Sequence, residues 1–291
     1  MKISVDAYAK INLFLDIESV RVDGYHNIIS HMQSVSLHDT VHLEREESDE
    51  REISVFCDNS DVPCDKSNLV YKAADIFPRN IGKVKIYIEK RIPMAAGLAG
   101  GSADAAATLI GLNSLCEEPM SIEQLKDIGI KLGADVPFCI EMGACIARGT
   151  GEILENTVPM PNFPIVIARI GEGMSTPYAY KALDKKYDNF NNYTPKTEKL
   201  AIITKGDDID IHEYSKGLYN IFEEVVEVER PAVTALKQLL IDNGAVAAMM
   251  SGSGTSVFGI FKDEEDAKRA EARAISAGAF AALCYPYGKE K

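Results

Sequence analysis

No apolar run in the 291 residues approaches the roughly 20 positions that a membrane-spanning helix needs. The first stretch carries Asp6 and Lys10 among its apolar residues, a make-up that a signal-peptide core does not have. Cysteine is sparse: Cys57, Cys64, Cys116, Cys139, Cys145 and Cys284 form no C-x-x-C pair and no zinc-like spacing. Scattered cysteines in a chain of this size predict reduced thiols and a cytoplasmic protein. Positive charge is also short, with 31 Lys and Arg against 44 Asp and Glu and a net charge of −13. A nucleic-acid partner, which needs a basic face, is therefore not expected. Phosphorylated small molecules are not excluded, because backbone N–H groups and one lysine make a positive site on a negative protein. There is no internal repeat and no low-complexity segment. What is present, 46% hydrophobic and 26% charged residues, is ordinary for a soluble globular chain able to bury a core without staples.

Residues 2–17 alternate strictly. Ile3, Val5, Ala7, Ala9, Ile11, Leu13, Leu15 and Ile17 share one face, with Lys10 and Asn12 on the other, which is the period of a strand. Asp23-Gly24 signals a turn, strand-like sequence follows to about Glu44, and 83–90 alternates again. Residues 103–115 are alanine- and leucine-rich and predict a helix. Ser121 and Gln124 predict a capping box opening a helix that stops at Gly133. Beyond residue 155 the expected order is strand 163–170, helix 232–243, strands 245–250 and 256–261, helix 264–276 and strand 279–284. This β-α-β-β-α-β order predicts a ferredoxin-like half. The polar, asparagine-rich 184–194 predicts a surface loop. His38 and His42 are four apart but lie in strand-like sequence, so they are not read as a metal pair.

PMAAGLAGGSADAA sits between a predicted strand and a predicted helix. Gly97, Gly100 and Gly101 let backbone approach a ligand closely, and the helix start beyond them offers free N–H groups and a positive dipole end. Together these make an anion site suited to phosphates. The spacing matches neither G-x-x-x-x-G-K-[ST] nor G-x-G-x-x-G. A glycine-rich turn with a purely structural role is the alternative for such a cluster taken alone.

The string Pro93-x-x-x-Gly97-Leu98-x-Gly100-Gly101-Ser102 resembles the phosphate-binding motif of the GHMP kinase superfamily. AKINLFLDI (Ala9–Ile17), DGYH (Asp23–His26), GADVPF (Gly133–Phe138) with ARGTGE (Ala147–Glu152), and MSGSGTSVFG (Met250–Gly259) resemble, in order, the signatures of the 4-diphosphocytidyl-2-C-methyl-D-erythritol kinases within it. The resemblance implies an α+β, two-domain fold. A mixed α/β N-terminal domain of the ribosomal S5 domain 2-like type would span residues 1–155, and a ferredoxin-like C-terminal domain residues 156–291, with the active site in the cleft between them. It implies transfer of the ATP γ-phosphate to the 2-hydroxyl of the methylerythritol unit, a step of non-mevalonate isoprenoid synthesis.

Residue by residue, the resemblance makes Asp135 the base and Lys10 the stabiliser of charge on the hydroxyl and γ-phosphate. Read alone, Asp135 fits a turn or cap residue and Lys10 an exposed strand lysine. ATP is expected on Pro93, Met94, Ala95, Ala96, Gly97, Leu98, Ala99, Gly100, Gly101, Ser102, Ala103 and Asp104. Ala99 and Ala103 stand where many members carry Gly or Ser, and both are small enough for the loop to close. Mg2+ is expected with ATP, and no carboxylate pair for it is evident, which leaves Ser102, the phosphates and water. His26 and Tyr25 are implied cytosine contacts, Tyr180 a second stacking ring, and Asn12 and Thr176 substrate contacts. Ser251–Gly254 is either a tight turn or a set of N–H groups facing substrate phosphates. The partners expected are ATP and the small molecule, with no nucleic acid or membrane, and a monomer or weak homodimer. The rival readings are another GHMP kinase, acting on mevalonate, homoserine or a sugar, and a non-catalytic nucleotide-binding homologue.

Overall fold

A computed structural model describes residues 1–191, 193–206 and 209–288. In chain order the elements are β1 (Lys2–Val20), β2 (His26–Glu46), β3 (Glu52–Cys57), α1 (Leu69–Ile76), β4 (Lys83–Glu89), α2 (Gly100–Ser114), α3 (Ile122–Gly129), α4 (Val136–Glu141), β5 (Ala144–Arg148), β6 (Ile153–Asn156) and β7 (Ile165–Arg169). They continue with α5 (Thr176–Lys186), α6 (Thr197–Ile203), α7 (Ile211–Ser215), β8 (Tyr219–Asn220), α8 (Glu223–Glu229), α9 (Pro231–Asp242), β9 (Ala247–Met250), β10 (Val257–Ile260), α10 (Glu264–Ser276) and β11 (Phe280–Cys284). Two compact units form, and neither is a single run of chain. The first comprises Met1–Ala9, His38–Met94 and Ala99–Met142; the second comprises Lys10–Leu37, Ala95–Leu98 and Gly143–Lys291.

In the first unit β4 pairs antiparallel with the later half of β2 and parallel with β3. Helix α2 carries almost no polar face, and Ala103, Ala105, Ala106, Ala107, Leu109 and Leu112 are all buried. A helix apolar on every side belongs in an interior. Its Gly111 lies so close to Leu43 and Val5 that a Cβ there would collide with the Leu43 side chain. The capping box at Ser121 is present, with both reciprocal bonds made to Gln124. The helix it opens ends at Gly129 rather than at Gly133. A Cβ at Gly129 would crowd Val136 and Ile140 of α4, so the chain turns where that helix packs.

In the second unit a four-stranded sheet runs β11-β7-β10-β9, antiparallel throughout. With α9 after β7 and α10 after β10, this is the β-α-β-β-α-β order expected from the sequence. The unit also holds β5, which pairs with residues 30–33 of β2, and β8, which pairs parallel with Phe14 and Leu15 of β1. The alternation of β1 predicts one buried face, and that holds only as far as Ala9. From there to Ile17 every residue is buried, Lys10, Asn12 and Asp16 included. The expected loop 184–194 is also different. Asp184 lies in α5, and Tyr187, Phe190 and Tyr193 pack on the apolar core. No described helix is long and apolar enough to cross a membrane.

Candidate active site

The second unit holds Lys10 in a polar relay. Its Nζ donates to Asn12 Oδ1 at 2.6 Å, Asn12 Nδ2 donates to Ser30 Oγ at 2.8 Å, and Ser30 Oγ donates to the Phe14 carbonyl at 2.7 Å. Lys10 is 4% exposed and Asn12 1%. Lysine and asparagine therefore share a face as period two requires, but the face is buried and hydrogen-bonded, not solvated. The Lys10 backbone N–H donates to the Leu98 carbonyl at 3.1 Å, which ties the strand to the glycine-rich loop.

The loop's Ala95–Leu98 stretch is laced to the Ser251–Gly254 turn. Ser251 Oγ donates to the Gly97 carbonyl at 3.0 Å and accepts from the Asn12 N–H at 3.3 Å, while the Ser256 N–H donates to the Ala96 carbonyl at 3.2 Å. Gly97 has a φ of +76°, and a Cβ on it would run into the backbone of Ser251 and Gly254. Asn220, 1% exposed, donates through Nδ2 to the Met250 and Gly252 carbonyls and accepts from the Phe222 N–H. Ser251 and Asn220 thus set the shape of both glycine segments. The SGSG string pointed to the turn, but nothing local marked Asn220.

The first unit holds the rest of the loop, Pro93, Met94 and Ala99–Asp104, together with Asp135. Ala99 stands at the N-cap of α2 with a φ of +58° and makes no side-chain cap, so the first-turn N–H groups are not covered by a capping side chain. Ser102 Oγ lies 4.0 Å from the position a Cβ would take on Gly133, two residues before Asp135. Asp135 occupies the N-cap of α4 and yet makes no capping bond with its side chain. A residue kept there as a helix cap would make that bond.

Asp104 departs from the expectation that it touches ATP. Its side chain is turned into the unit's interior, where Lys90 Nζ donates to Asp104 Oδ2 at 2.8 Å and also to Asp39. All three side chains are at most 5% exposed. Asp39 Oδ1 in turn accepts from the Ile92 N–H at 2.7 Å, so the cluster anchors the chain entering the loop as well as the helix leaving it. Burial pushes the Asp104 carboxyl up to about 7 against the opposing pull of Lys90, with Asp39 adding to the rise. A carboxyl whose folded pKa exceeds its unfolded one keeps its proton longer in the native state. Its contribution to stability is therefore lost as pH rises from the ordinary carboxylate range through about 7. Asp104→Asn removes that loss and leaves one cation facing one carboxylate. In urea titrations from pH 5 to pH 8 the variant should gain stability relative to the parent, and a pH-independent difference would contradict this account.

The implied base-binding residues are all in the second unit. Tyr25 is 65% exposed just past the Gly24 turn, whereas His26 is 7% exposed. Tyr180 is half-buried and already packs on two other rings. Its ring stacks on His26 at 4.6 Å between centroids and meets Phe222 edge-on at 4.9 Å. His26 Nε2 lies 2.7 Å from Asp184 Oδ1, and Phe190 presents an edge to the imidazole at 5.8 Å. Thr176 Oγ1 and Ser253 Oγ are 2.7 Å apart, which joins the start of α5 to the glycine turn. Asp184 and Phe190 were missed because their segment read as a polar loop. The signal available was the four-residue spacing of Tyr180 and Asp184, which puts both on one helix face. His42 is engaged by Ser4 and Glu89, and no grouping of three or more metal-ligating side chains occurs among the described residues.

Comparison with known proteins agrees with this architecture. Residues 68–143 match the GHMP kinases N terminal domain and residues 201–279 the GHMP kinases C terminal domain. The 4-diphosphocytidyl-2-C-methyl-D-erythritol kinase of Alkaliphilus metalliredigens is 41% identical over 92% of this chain and 91% of its own length. That of Clostridioides difficile is 42% identical over 91% and 88%. A crystal structure of a 4-(cytidine 5'-diphospho)-2C-methyl-D-erythritol kinase superposes with a TM-score of 0.79 at 29% identity, covering 98% of this chain and 100% of that one. A homoserine kinase from Cytophaga hutchinsonii shares the fold alone, at 18% identity and a TM-score of 0.70 over 98% of this chain and 94% of its own. The motifs, the two-unit fold and the identity of about 40% to these relatives over nine-tenths of the chain place it in the 4-diphosphocytidyl-2-C-methyl-D-erythritol kinase family of the GHMP kinases.

Proposed function

We propose that the protein transfers the γ-phosphoryl group of ATP to the 2-hydroxyl of 4-diphosphocytidyl-2-C-methyl-D-erythritol in isoprenoid precursor synthesis. It is a phosphotransferase acting on an alcohol. Asp135 takes the proton as the hydroxyl oxygen bonds to phosphorus and the bond to the β-phosphate oxygen breaks, releasing ADP. Lys10 stabilises the charge on the attacking oxygen and the transferred group. The reading requires both residues to address one hydroxyl. The observation that carries it is identity above 40% to kinases of that name over nine-tenths of the chain. Asp135 supports it by standing at a helix start without serving as its cap.

ATP is assigned to residues 93–104, with Asp104 acting through the buried ion cluster rather than by contact. Lys10 is presented by Asn12, whose amide is already engaged with Ser30. Tyr25 and His26 are assigned to the cytosine ring, with Tyr180 behind His26, and Thr176 to the substrate side of the Ser253 turn. Mg2+ would be held mainly by nucleotide phosphates and water, with Ser102 the protein ligand. Bound there, it would neutralise phosphate charge. A cytoplasmic location and a monomeric or weakly dimeric state belong to the same proposal.

A substrate panel tests it. ADP release should require ATP together with the cytidyl substrate, and should be absent with mevalonate or homoserine. Phosphorylation of mevalonate but not of the cytidyl compound would overturn the assignment, and ATP binding with no turnover on any acceptor would favour a non-catalytic role.

A further inference from the structure

His26 is held from three directions within the second unit. Tyr180 covers one face of its ring, with an interplanar angle of 26°, Phe190 meets it edge-on at 74°, and Asp184 Oδ1 lies 2.7 Å from Nε2. An imidazole in a position fixed this closely has little freedom to turn over and exchange its two nitrogens. The segment that brings Phe190 in is itself unusual. Asp188, Asn189 and Phe190 have φ values of 46°, 53° and 62°, three successive left-handed residues with no glycine among them. Aspartate and asparagine tolerate this region better than other side chains, so the cost, about 1–2 kcal/mol for an ordinary residue, falls mainly on Phe190. Strain of that kind persists where the surrounding structure enforces it, which happens most often at ligand sites. Behind the turn, Tyr193 donates to the buried Asp16 carboxylate at 2.6 Å, and the Lys196 N–H donates to the same group at 2.8 Å. The segment is thereby fastened at its far end.

The chemistry of the contact sets the tautomer. A carboxylate has only lone pairs to offer, so the hydrogen bond at Nε2 requires the proton on Nε2. The neutral ring then carries its lone pair on Nδ1 and is an acceptor there. An acceptor recognises an amino group and rejects a carbonyl. Among pyrimidines it favours cytosine, whose exocyclic position is an amine, over uracil, whose equivalent position is an oxygen.

We propose that Asp184 is a positioning residue that sets base specificity: it fixes His26 as the Nε2–H tautomer, so that the pair selects an amino-bearing pyrimidine over a keto-bearing one. This rests on the assignment of His26 to the base. Asp184 touches no reacting atom, and its effect passes entirely through the imidazole.

The test compares kcat/KM for the cytidyl substrate with that for its uridyl counterpart, in the parent, His26→Ala, Asp184→Ala and the double variant. The parent should prefer the cytidyl compound. Asp184→Ala should lower that preference by about 10-fold or more, through KM for the cytidyl substrate and not through kcat. The double variant should lose no more than His26→Ala alone, because one residue acts through the other. If Asp184→Ala keeps the parental preference while His26→Ala loses it, the inference falls and the base assignment stands. If His26→Ala itself keeps the preference, the base assignment falls and takes the inference with it. The tautomer is also read directly in the parent by 15N NMR of the histidine ring, which needs no variant. A His26 protonated on Nδ1 and not on Nε2 would overturn the proposal whatever the kinetics.

Discussion

Asp135→Asn should reduce kcat by about 10²- to 10⁴-fold, the range over which a positioned general base contributes. The substitution keeps the size and shape of the side chain and removes its capacity to take a proton. It should leave the fold in place, because the Asp135 carboxylate does not cap α4 and Pro137 shapes the first turn of that helix in its stead. ATP affinity should be close to that of the parent, since the residue is assigned to the acceptor hydroxyl and not to the nucleotide. Three measurements separate the possibilities: thermal melting, ATP titration, and single-turnover ADP formation with both substrates saturating. Unchanged turnover would remove Asp135 from the role of base. A fall in melting temperature matching the fall in activity would return it to the structural role that Gly-Ala-Asp-x-Pro allows on its own.

The same experiment on Lys10 carries a different expectation, for a reason the structure supplies. Lys10 is buried and bonded to Asn12, which is bonded to Ser30. Removing the ammonium leaves the Asn12 carbonyl oxygen unpaired inside the protein, at a cost of about 1–3 kcal/mol. Activity and stability would fall together in Lys10→Ala, so that variant is the poorer probe of catalysis.

Which features could be read in advance follows from how far apart their partners lie in the chain. Local signals were legible. The Ser121–Gln124 capping box, the helix over Glu264–Ser276, the Gly24 turn and the common face of Lys10 and Asn12 each depend on neighbours within a few positions. So was the ferredoxin-like order, which is a succession of such local elements. The features that needed coordinates join distant residues. Asn12 meets Ser251 across 239 positions, His26 meets Asp184 across 158, and Gly97 meets Ser251 across 154. Period two correctly made β1 a strand and wrongly implied a solvated second face, because alternation records polarity and not burial. A buried Lys10 or Asp16 looks in sequence like an exposed one until its partners are known. Asp104 shows the same limit. It lies inside the phosphate-loop string, and only the positions of Lys90 and Asp39, 14 and 65 residues upstream, turn it from a ligand contact into an anchor.

Gly97→Ala should be the most damaging single methyl group in the glycine-rich loop. The φ of +76° already costs a non-glycine residue about 1–2 kcal/mol. The new Cβ would also fall on the Ser251 carbonyl oxygen, well inside 3.0 Å, with the Ser251 carbonyl carbon at 3.1 Å and the Gly254 nitrogen at 3.3 Å. All three are backbone atoms, so no side chain can swing away to make room. The loop must part from the Ser251–Gly254 turn, breaking the bonds from Ser251 Oγ to the Gly97 carbonyl and from the Ser256 N–H to the Ala96 carbonyl. Stability should fall by at least about 2 kcal/mol, and ATP affinity should fall with it because the loop's backbone moves. Gly101→Ala is the control. A Cβ there meets only Leu69 Cδ1, at 3.7 Å, an ordinary contact, and alanine favours the helix it would join. That variant should melt at or above the parent temperature while still binding ATP more weakly, since its methyl group occupies space where backbone is to approach phosphate. The two alanines thus separate what the glycines do for the protein from what they do for the nucleotide. Thermal melts of both ligand-free variants decide the matter: equal melting temperatures for Gly97→Ala and Gly101→Ala would mean that the loop and the Ser251 turn are not locked together as the hydrogen bonds imply.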